Sequence, residues 1–209
     1  MPKKEAPIHE LQKFLPPNTY NSVLDYLHQY KVHLTVARER TSILGDYRHE
    51  IDGRNHRISV NGNLNTYAFL ITLLHELAHL LTFEQFGNKV QSHGREWKQS
   101  FGKLLEQFMN QDVFPPDLKN ALIRSLQNPA ASSCADEVLL RALKHYDNKK
   151  EQTLFVENVP EGALFKSHDG KVFRKYERIR KRFKGIEIRT GRVYLFSPVY
   201  EVSLVNDDV

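Results

Sequence analysis

The chain has a single cysteine, Cys134, among its 209 residues. One thiol cannot close an internal disulfide, and it cannot supply the four thiolates of a zinc ribbon. A chain that does without disulfides is expected in a reducing compartment, and this predicts a cytoplasmic protein. The scarcity of cysteine therefore excludes both a disulfide-stabilised fold and a thiolate zinc ribbon.

Long apolar segments are also missing. The longest apolar run, residues 67–74, is much shorter than the roughly 20 residues that cross a bilayer. The first five residues, MPKKE, do not lead into the apolar stretch of a secretory signal. Hydrophobic residues nevertheless make up 40% of the chain, which is enough for an ordinary core at this length. These features predict a soluble globular protein without a membrane partner.

Positive charge is concentrated in one segment. The chain has a formal net charge of +5, yet residues 171–184 alone carry +7, because eight cations there accompany a single acid, Glu177. This density predicts a polyanionic partner such as DNA, bound without sequence preference and with strong salt dependence. The alternative is a solvated charged face. The predicted nucleic-acid contacts are Lys171, Arg174, Lys175, Arg178, Arg180, Lys181, Arg182 and Lys184.

The spacing of apolar residues predicts an α+β fold. After a first helix around Val23 and Leu27, alternation predicts three short strands at 33–37, 42–47 and 56–60. Helical spacing then predicts helices over 67–81, after His93, near 117–127 and near 136–146. Beyond a linker at 147–150, short runs predict strands at 153–156, 163–165, 172–173, 186–188 and 192–196. We therefore expect one domain over 1–147 and a small, basic, β-rich unit over 151–209.

The segment His75-Glu76-Leu77-Ala78-His79 has the pattern H-E-x-x-H inside an apolar helical stretch. Side chains four residues apart lie one above the other on a helix, so His75 and His79 can offer two imidazole nitrogens to one Zn²⁺ ion. Glu76 would then lie beside a zinc-bound water and accept its proton as the general base of a metallopeptidase. The alternative is a pair of hydrogen-bonded core histidines. Because unpaired polar groups are costly in an apolar helix, a metal that compensates all three is preferred.

A catalytic zinc site needs a third protein ligand. The metzincin class is excluded, because Thr82 and Gln85 stand where its glycine and histidine would be. A gluzincin would use a glutamate on a following helix, and Glu96 or Glu106 could serve. His93, fourteen residues after the H-E-x-x-H motif, opens the next helix and leaves a fourth position free. It is the favoured ligand, with the glutamates as alternatives.

At this point the sequence resembles a known family. His75-Glu76-Leu77-Ala78-His79 followed by His93-Gly94-x-x-Trp97 is similar to the SprT-like metallopeptidases over about residues 18–110. In that family the two segments together form the zinc site. The resemblance implies a minigluzincin-like α+β fold, in which a small antiparallel sheet packs on the zinc helix and the helices that follow. It also implies three histidine ligands and a protease acting on proteins associated with DNA.

The C-terminal part departs from the family. Many SprT-like proteins carry a four-cysteine zinc ribbon after the peptidase domain, but this chain has no cysteine after Cys134. The spacing within 163–173 and 181–194 still resembles two ribbon knuckles without their thiols. The aromatic residues among the cations are expected to face a core rather than to stack on bases. We therefore expect a degenerate, metal-free ribbon-like unit held by Phe165, Phe173, Phe183, Tyr194 and Phe196.

Together these features predict a zinc-dependent metalloendopeptidase that cleaves proteins on or near DNA. Its ligands would be His75, His79 and His93, and its general base would be Glu76. The alternative is a nucleic-acid-binding or regulatory protein whose zinc site is structural or catalytically silent. Hydrolysis of a non-peptide substrate is compatible with the same ligands.

Overall fold

A computed structural model describes residues 7–40, 43–51, 53–127, 136–147 and 153–205. The chain divides into two compact units, Met1–Asp147 and Asn148–Val209. Cys134 and most of the predicted linker, Asn148–Lys150, lie outside the described residues.

The first unit combines a small sheet with helices. A short 3-10 helix at Ile8–Phe14 precedes helix α1 at Tyr20–Gln29. Strands β1, β2 and β3 follow at His33–Ala37, Gly45–Arg48 and Arg57–Asn61. The remaining helices are α2 at Thr66–Phe86, α3 at Arg95–Met109, α4 at Pro116–Gln127 and α5 at Glu137–Lys144. The predicted helices, the strands predicted at 33–37 and 56–60 and the α+β class are therefore confirmed. The strand predicted at 42–47 begins only at Gly45, and its first predicted residue, Ser42, lies outside the described residues.

The sheet of the first unit has the strand order β1-β3-β2. The expectation of an antiparallel sheet is wrong for one of its pairs, because β2 is antiparallel to β3 but β1 is parallel to it. Strand β3 takes the centre because its apolar residues, Ile58 and Val60, are buried. The chain after β1 therefore crosses to the far edge before β2 begins, and this crossing leaves β1 and β3 parallel.

Arg40 and Asn61 hold this crossing in place. Arg40 Nε donates a hydrogen bond to Asn61 Oδ1 at 2.7 Å, and Arg40 Nη1 donates to Ser59 Oγ at 3.0 Å. Asn61 Nδ2 donates in turn to the carbonyl oxygens of Arg40 and Ile43. The last residue of β3 thus satisfies the backbone of the connection, and this fixes the place where β2 starts.

Helix α2 is the central element of the core. Asn65 caps its first turn, since the side-chain oxygen accepts a hydrogen bond from the backbone N–H of Ala68 at 2.9 Å. Gly87 ends the helix at a φ of +60°, a conformation that a residue without Cβ adopts without strain. By length and composition residues 66–89 could cross a membrane, but 67% of the apolar window is buried inside this unit. That burial is the property of a core helix.

Helices α3 to α5 enclose α2. The inner face of α3 carries six buried apolar residues at helical spacing: Trp97, Phe101, Leu104, Leu105, Phe108 and Met109. Leu118 and Leu122 of α4 join the same apolar cluster, as do Leu139 and Leu143 of α5. Because the cluster surrounds α2, the polar residues on that helix have fixed directions.

The second unit contains six strands: β4 at Thr153–Phe155, β5 at Leu164–Lys166, β6 at Val172–Ile179, β7 at Arg182–Glu187, β8 at Val193–Phe196 and β9 at Glu201–Leu204. They form one antiparallel sheet of order β4-β9-β5-β6-β7-β8. The sequence pattern did not predict β9. Only Val202 of that strand is buried, so its alternation is weak.

Aromatic rings hold the second unit together. Phe165, Phe173 and Phe196 are buried at its centre, and Phe183 and Tyr194 are partly buried against them. The ring centroids of Phe165 and Phe173 lie 5.5 Å apart, and Phe196 contacts both rings edge-on. The five aromatic residues expected to form this core therefore do so. The likeness of the unit to a zinc ribbon stays a prediction.

Candidate metal centre

Helix α2 places the two histidines of the H-E-x-x-H segment on one face. His75 and His79 are one turn apart, and their Nε2 atoms lie 3.3 Å from each other. The surrounding apolar residues, among them Leu74 and Leu77, are fully buried, so the imidazole rings have little freedom to turn away. The helix therefore presents two nitrogen atoms toward one point.

His93 reaches the same point from the connection between α2 and α3. Gly94 begins α3 as its N-cap, and the Gly94 N–H donates to the carbonyl of Gln91 at 3.0 Å. A Cβ at Gly94 would lie 3.1 Å from that carbonyl oxygen, so a larger residue would crowd the turn. The tight turn brings His93 Nε2 to 3.1 Å from His79 Nε2 and 3.3 Å from His75 Nε2.

The triangle of nitrogen atoms fits a metal ion better than a hydrogen-bonded cluster. A hydrogen bond needs an angle near or above roughly 150°, so one N–H can point at only one of two equidistant neighbours. Four ligands placed tetrahedrally at 2.0–2.1 Å from zinc lie about 3.3 Å from one another. The observed separations of 3.1–3.3 Å match that value. The residues present therefore fit a zinc ion with three nitrogen ligands.

Burial keeps the three imidazoles neutral. It lowers the pKa of His75 to about 3, and the neighbouring His79 and His93 act in the same direction. Burial lowers the pKa of His79 to about 4, with a smaller effect of His93, and it also lowers the pKa of His93. Neutral imidazoles have a free lone pair at neutral pH, which metal binding requires.

Glu76 is buried beside this site on the same helix. Strand β2 passes so close to its carboxylate that a Cβ added to Gly45 would lie 2.5 Å from Glu76 Oε1. The pKa of Glu76 is raised to about 8, mainly by burial and also by the charge of Asp46, with Arg40 acting in the opposite direction. A carboxylate with a raised pKa is a stronger base, so its environment suits proton transfer near neutral pH.

Trp97 forms the inner wall of the site. It is fully buried. Its ring centroid lies 4.7 Å from that of His75, 5.4 Å from His79 and 4.8 Å from His93. A single side chain thus packs against all three imidazoles and restricts their orientation.

The glutamates considered as third ligands do not join the histidines. Within the described residues, the ligand atoms gathered at this site are those of His75, His79 and His93. Glu96 Oε2 lies near Gly94, where an added Cβ would be 3.4 Å away. Glu106 is exposed three turns along α3. The geometry therefore favours His93 over both glutamates.

Sequence reasoning missed the contribution of β2. Gly45 contacts the Glu76 side chain, and the Tyr47 ring lies parallel to His79 with the centroids 6.5 Å apart. Neither residue has a spacing that links it to the H-E-x-x-H motif, because both arrive through strand pairing. A glycine inside the strand predicted at 42–47 was the only local signal available.

Lys175 must be removed from the predicted nucleic-acid contacts. It is only 5% exposed, and its ammonium group donates hydrogen bonds to the carbonyl oxygens of Glu157 and Val159. The same group lies 4.3 Å from the centroid of the Phe183 ring. Lys175 is buried because β6 directs every second side chain toward the core, regardless of its charge.

The other seven cations divide into two groups. Lys171 pairs with Asp169 at 2.6 Å, Lys184 pairs with Glu177 at 3.4 Å, and Arg174 donates to the carbonyl of Gly162 at 2.8 Å. The remaining four stand exposed where β6 turns into β7, and we call them the hairpin tip: Arg178, Arg180, Lys181 and Arg182. Four exposed cations of the segment thus lie together at one end of the hairpin.

The first unit contains a segment that matches a known protein family. The model of the SprT-like family matches residues 18–119, which contain β1 to β3, α2, α3 and all three histidines. Searches of curated proteins and of solved structures give no match. Motif, fold and family match agree over the same residues. Through residues 18–119, this chain belongs to the SprT-like family.

Proposed function

We propose that the first unit is a zinc-dependent endopeptidase with Glu76 as its general base. The observation that carries this proposal is the convergence of three Nε2 atoms at 3.1–3.3 Å beside a buried carboxylate. A purely structural zinc site has no need of a buried glutamate whose pKa is raised to about 8.

His75, His79 and His93 would hold the ion and leave a fourth position open. Zinc, when bound there, supplies a Lewis acid that lowers the pKa of water and polarises a carbonyl group. Glu76 accepts the proton of the attacking water and can return it to the leaving amine. Gly45 and Trp97 serve this step by fixing the carboxylate and the imidazoles in place.

A groove beside His93 is the proposed path of the substrate. Its volume is about 540 Å³, and its lining is Gln91, His93, Gly94, Arg95, Lys98, Gln99 and Leu126. The two charged residues in this lining are both cations, Arg95 and Lys98. We therefore expect the enzyme to favour a polypeptide with an acidic side chain near the cleaved bond.

The hairpin tip supports a finer proposal about the substrate. Its exposed cations suit the phosphates of nucleic acid, and nearby aromatic rings are buried or half-buried in the second unit. We propose that the tip binds DNA without sequence preference and that the substrates are cytoplasmic proteins on or near DNA.

The test compares the wild type with Glu76→Gln in a protein-cleavage assay, with and without single-stranded DNA. Zinc content is measured in both. The proposal expects equal zinc content and a loss of cleavage of about a hundredfold or more in the variant. If zinc binds but no condition gives Glu76-dependent cleavage, the enzyme proposal is refuted. A nucleic-acid-binding or regulatory protein with a silent zinc site would then be the better description.

A further inference from the structure

We propose a second metal site in the first unit, formed by Glu50, His56 and Glu84. His56 Nε2 lies 3.3 Å from Glu84 Oε1 and 4.0 Å from Glu50 Oε2. The three potential ligand atoms all lie within 4.8 Å of one another. This site is separate from the three-histidine centre and does not depend on the proposed peptidase activity.

The three residues come from different parts of the chain. Glu50 follows β2, His56 precedes β3, and Glu84 lies on the last turns of α2. Their convergence is therefore a product of tertiary packing. A bound ion would tie the β2–β3 connection to the C-terminal part of the zinc helix.

The charges of the group favour a bound cation. Two carboxylates gather around one imidazole nitrogen, and like charges at this separation destabilise each other. In the part of the chain that the structure describes, the ion pairs recorded for Glu50 and Glu84 are both with His56. A divalent cation between the three ligand atoms would offset both negative charges at once.

The His56 side chain has the burial and the hydrogen bonding that are typical of a metal-binding histidine. His56 is 96% buried, which fixes its ring, and its Nδ1 lies 3.0 Å from the hydroxyl of Tyr47. A histidine that binds metal through Nε2 commonly donates Nδ1–H to such an outer partner. The tautomer with hydrogen on Nδ1 leaves the Nε2 lone pair directed at the two carboxylates.

The carboxylates complete the donor set from the solvent side. The side chains of Glu50 and Glu84 are 65% and 41% exposed, so they can close on an ion and leave a path for its entry. One imidazole and two carboxylates form a donor set that zinc accepts, and water can take the fourth position. We therefore assign the site to Zn²⁺, with a role in holding β2 against α2.

The experiment strips the full chain of metal, adds excess Zn²⁺, removes unbound ion and counts zinc per chain. The wild type is expected to bind two ions. The double variant Glu50→Gln, Glu84→Gln keeps the shape of both side chains and is expected to bind one. That remaining ion is expected to disappear when His93→Ala is added. His56→Ala should also lose one ion, but it changes a buried residue and can destabilise the core. The substitutions of Glu50 and Glu84 are at exposed positions and leave the core unchanged.

Matched controls make the outcome decisive. Glu39→Gln with Glu106→Gln removes two exposed carboxylates elsewhere in the unit and is expected to keep both ions. The melting temperature of the wild type should rise with the second zinc equivalent, and that of the Glu50, Glu84 double variant should not. A wild type that binds no ion dependent on Glu50 and Glu84, or a double variant that still binds two ions, overturns the proposal. A wild type whose single ion depends on Glu50 and Glu84 but not on His93 would instead count against the peptidase centre.

Discussion

Gly45 and Glu76 are in such close contact that the glycine has no room for a side chain. A Cβ at Gly45 would lie 2.5 Å from Glu76 Oε1, 2.9 Å from Glu76 Cγ and 2.8 Å from the methyl carbon of Thr72. The backbone of β2 therefore forms one wall around the proposed general base. Strand pairing in the small sheet sets the position of that carboxylate.

The first prediction is that Gly45→Ala lowers cleavage without removing zinc. The added methyl group must displace the Glu76 carboxylate, and a misplacement of about 1 Å can cost roughly a hundredfold in rate. The rate and the zinc content of the variant are measured together. Gly102→Ala is the control, because its Cβ would meet only Leu126 at an ordinary 3.7 Å. Equal activity of Gly45→Ala and wild type would contradict the positioning role.

The second prediction concerns the third ligand. His93→Ala should weaken zinc binding by more than about a hundredfold, since even outer-shell partners of a metal contribute 10–100-fold. Glu96→Gln should bind zinc as tightly as the wild type. Competition with a chelator measures both affinities. If Glu96→Gln weakens zinc binding and His93→Ala does not, Glu96 rather than His93 is the third ligand.

The third prediction uses Trp97, the chain's single tryptophan. Its ring lies 4.7–5.4 Å from the three imidazole rings, so an ion held by them should alter its fluorescence. Co²⁺ added to metal-free protein is expected to quench the emission. The Glu50→Gln, Glu84→Gln variant should show the same quenching, and His93→Ala should lose it. If Co²⁺ still quenches the tryptophan emission of His93→Ala, the ion that causes the quenching is not held by His93.

The fourth prediction separates the hairpin tip from the other cations. Reversing Arg180, Lys181 and Arg182 to glutamate should weaken binding of single-stranded DNA. The slope of log affinity against log salt should become shallower by about 2, at roughly 0.7 for each phosphate contact. Fluorescence anisotropy of labelled single-stranded DNA across a salt series measures the affinity and this slope.

The control reverses three exposed cations near the other ends of β6 and β7: Lys166 on β5, which pairs with the start of β6, and Arg189 and Arg192 in the connection from β7 to β8. This triple variant has the same net charge as the tip variant. If both lose DNA affinity equally, net charge rather than the hairpin tip governs binding.

The fifth prediction is that Lys175 stabilises the second unit and does not bind DNA. Lys175→Met keeps the apolar stem but removes the ammonium group that donates hydrogen bonds to the carbonyl oxygens of Glu157 and Val159. The free energy of unfolding should fall by about 1–3 kcal/mol for the lost partner. DNA affinity at fixed salt should stay unchanged. A stable variant with weaker DNA binding would restore Lys175 to the predicted contacts.

Much of the fold could be predicted from the sequence, because most helices and strands have a regular spacing of apolar residues. Helices α2 and α3 have regular apolar spacing, and the predicted strands at 33–37 and 56–60 agree closely with β1 and β3. Strand β9 was missed because one buried valine gives no alternation. The parallel β1–β3 pair was missed because local patterns do not indicate which strand takes the centre.

The same contrast applies to the candidate sites. His75 and His79 follow from helix geometry, since their spacing alone puts them on one face. The basic segment was visible as a run of charge, but strand alternation decided that Lys175 points inward. His56 had no ligand-like spacing, because its two glutamates come from other parts of the chain.

The sequence by itself determined the pair of ligands on α2, the adjacent Glu76 and the absence of thiolate sites, because these depend on spacing and composition. Tertiary structure decided the rest. It brought His93 back to the helix through the turn at Gly94, laid Gly45 against Glu76 and gathered Glu50, His56 and Glu84. These relationships join residues far apart in the chain, and only packing of the sheet and helices around one core brings such residues together.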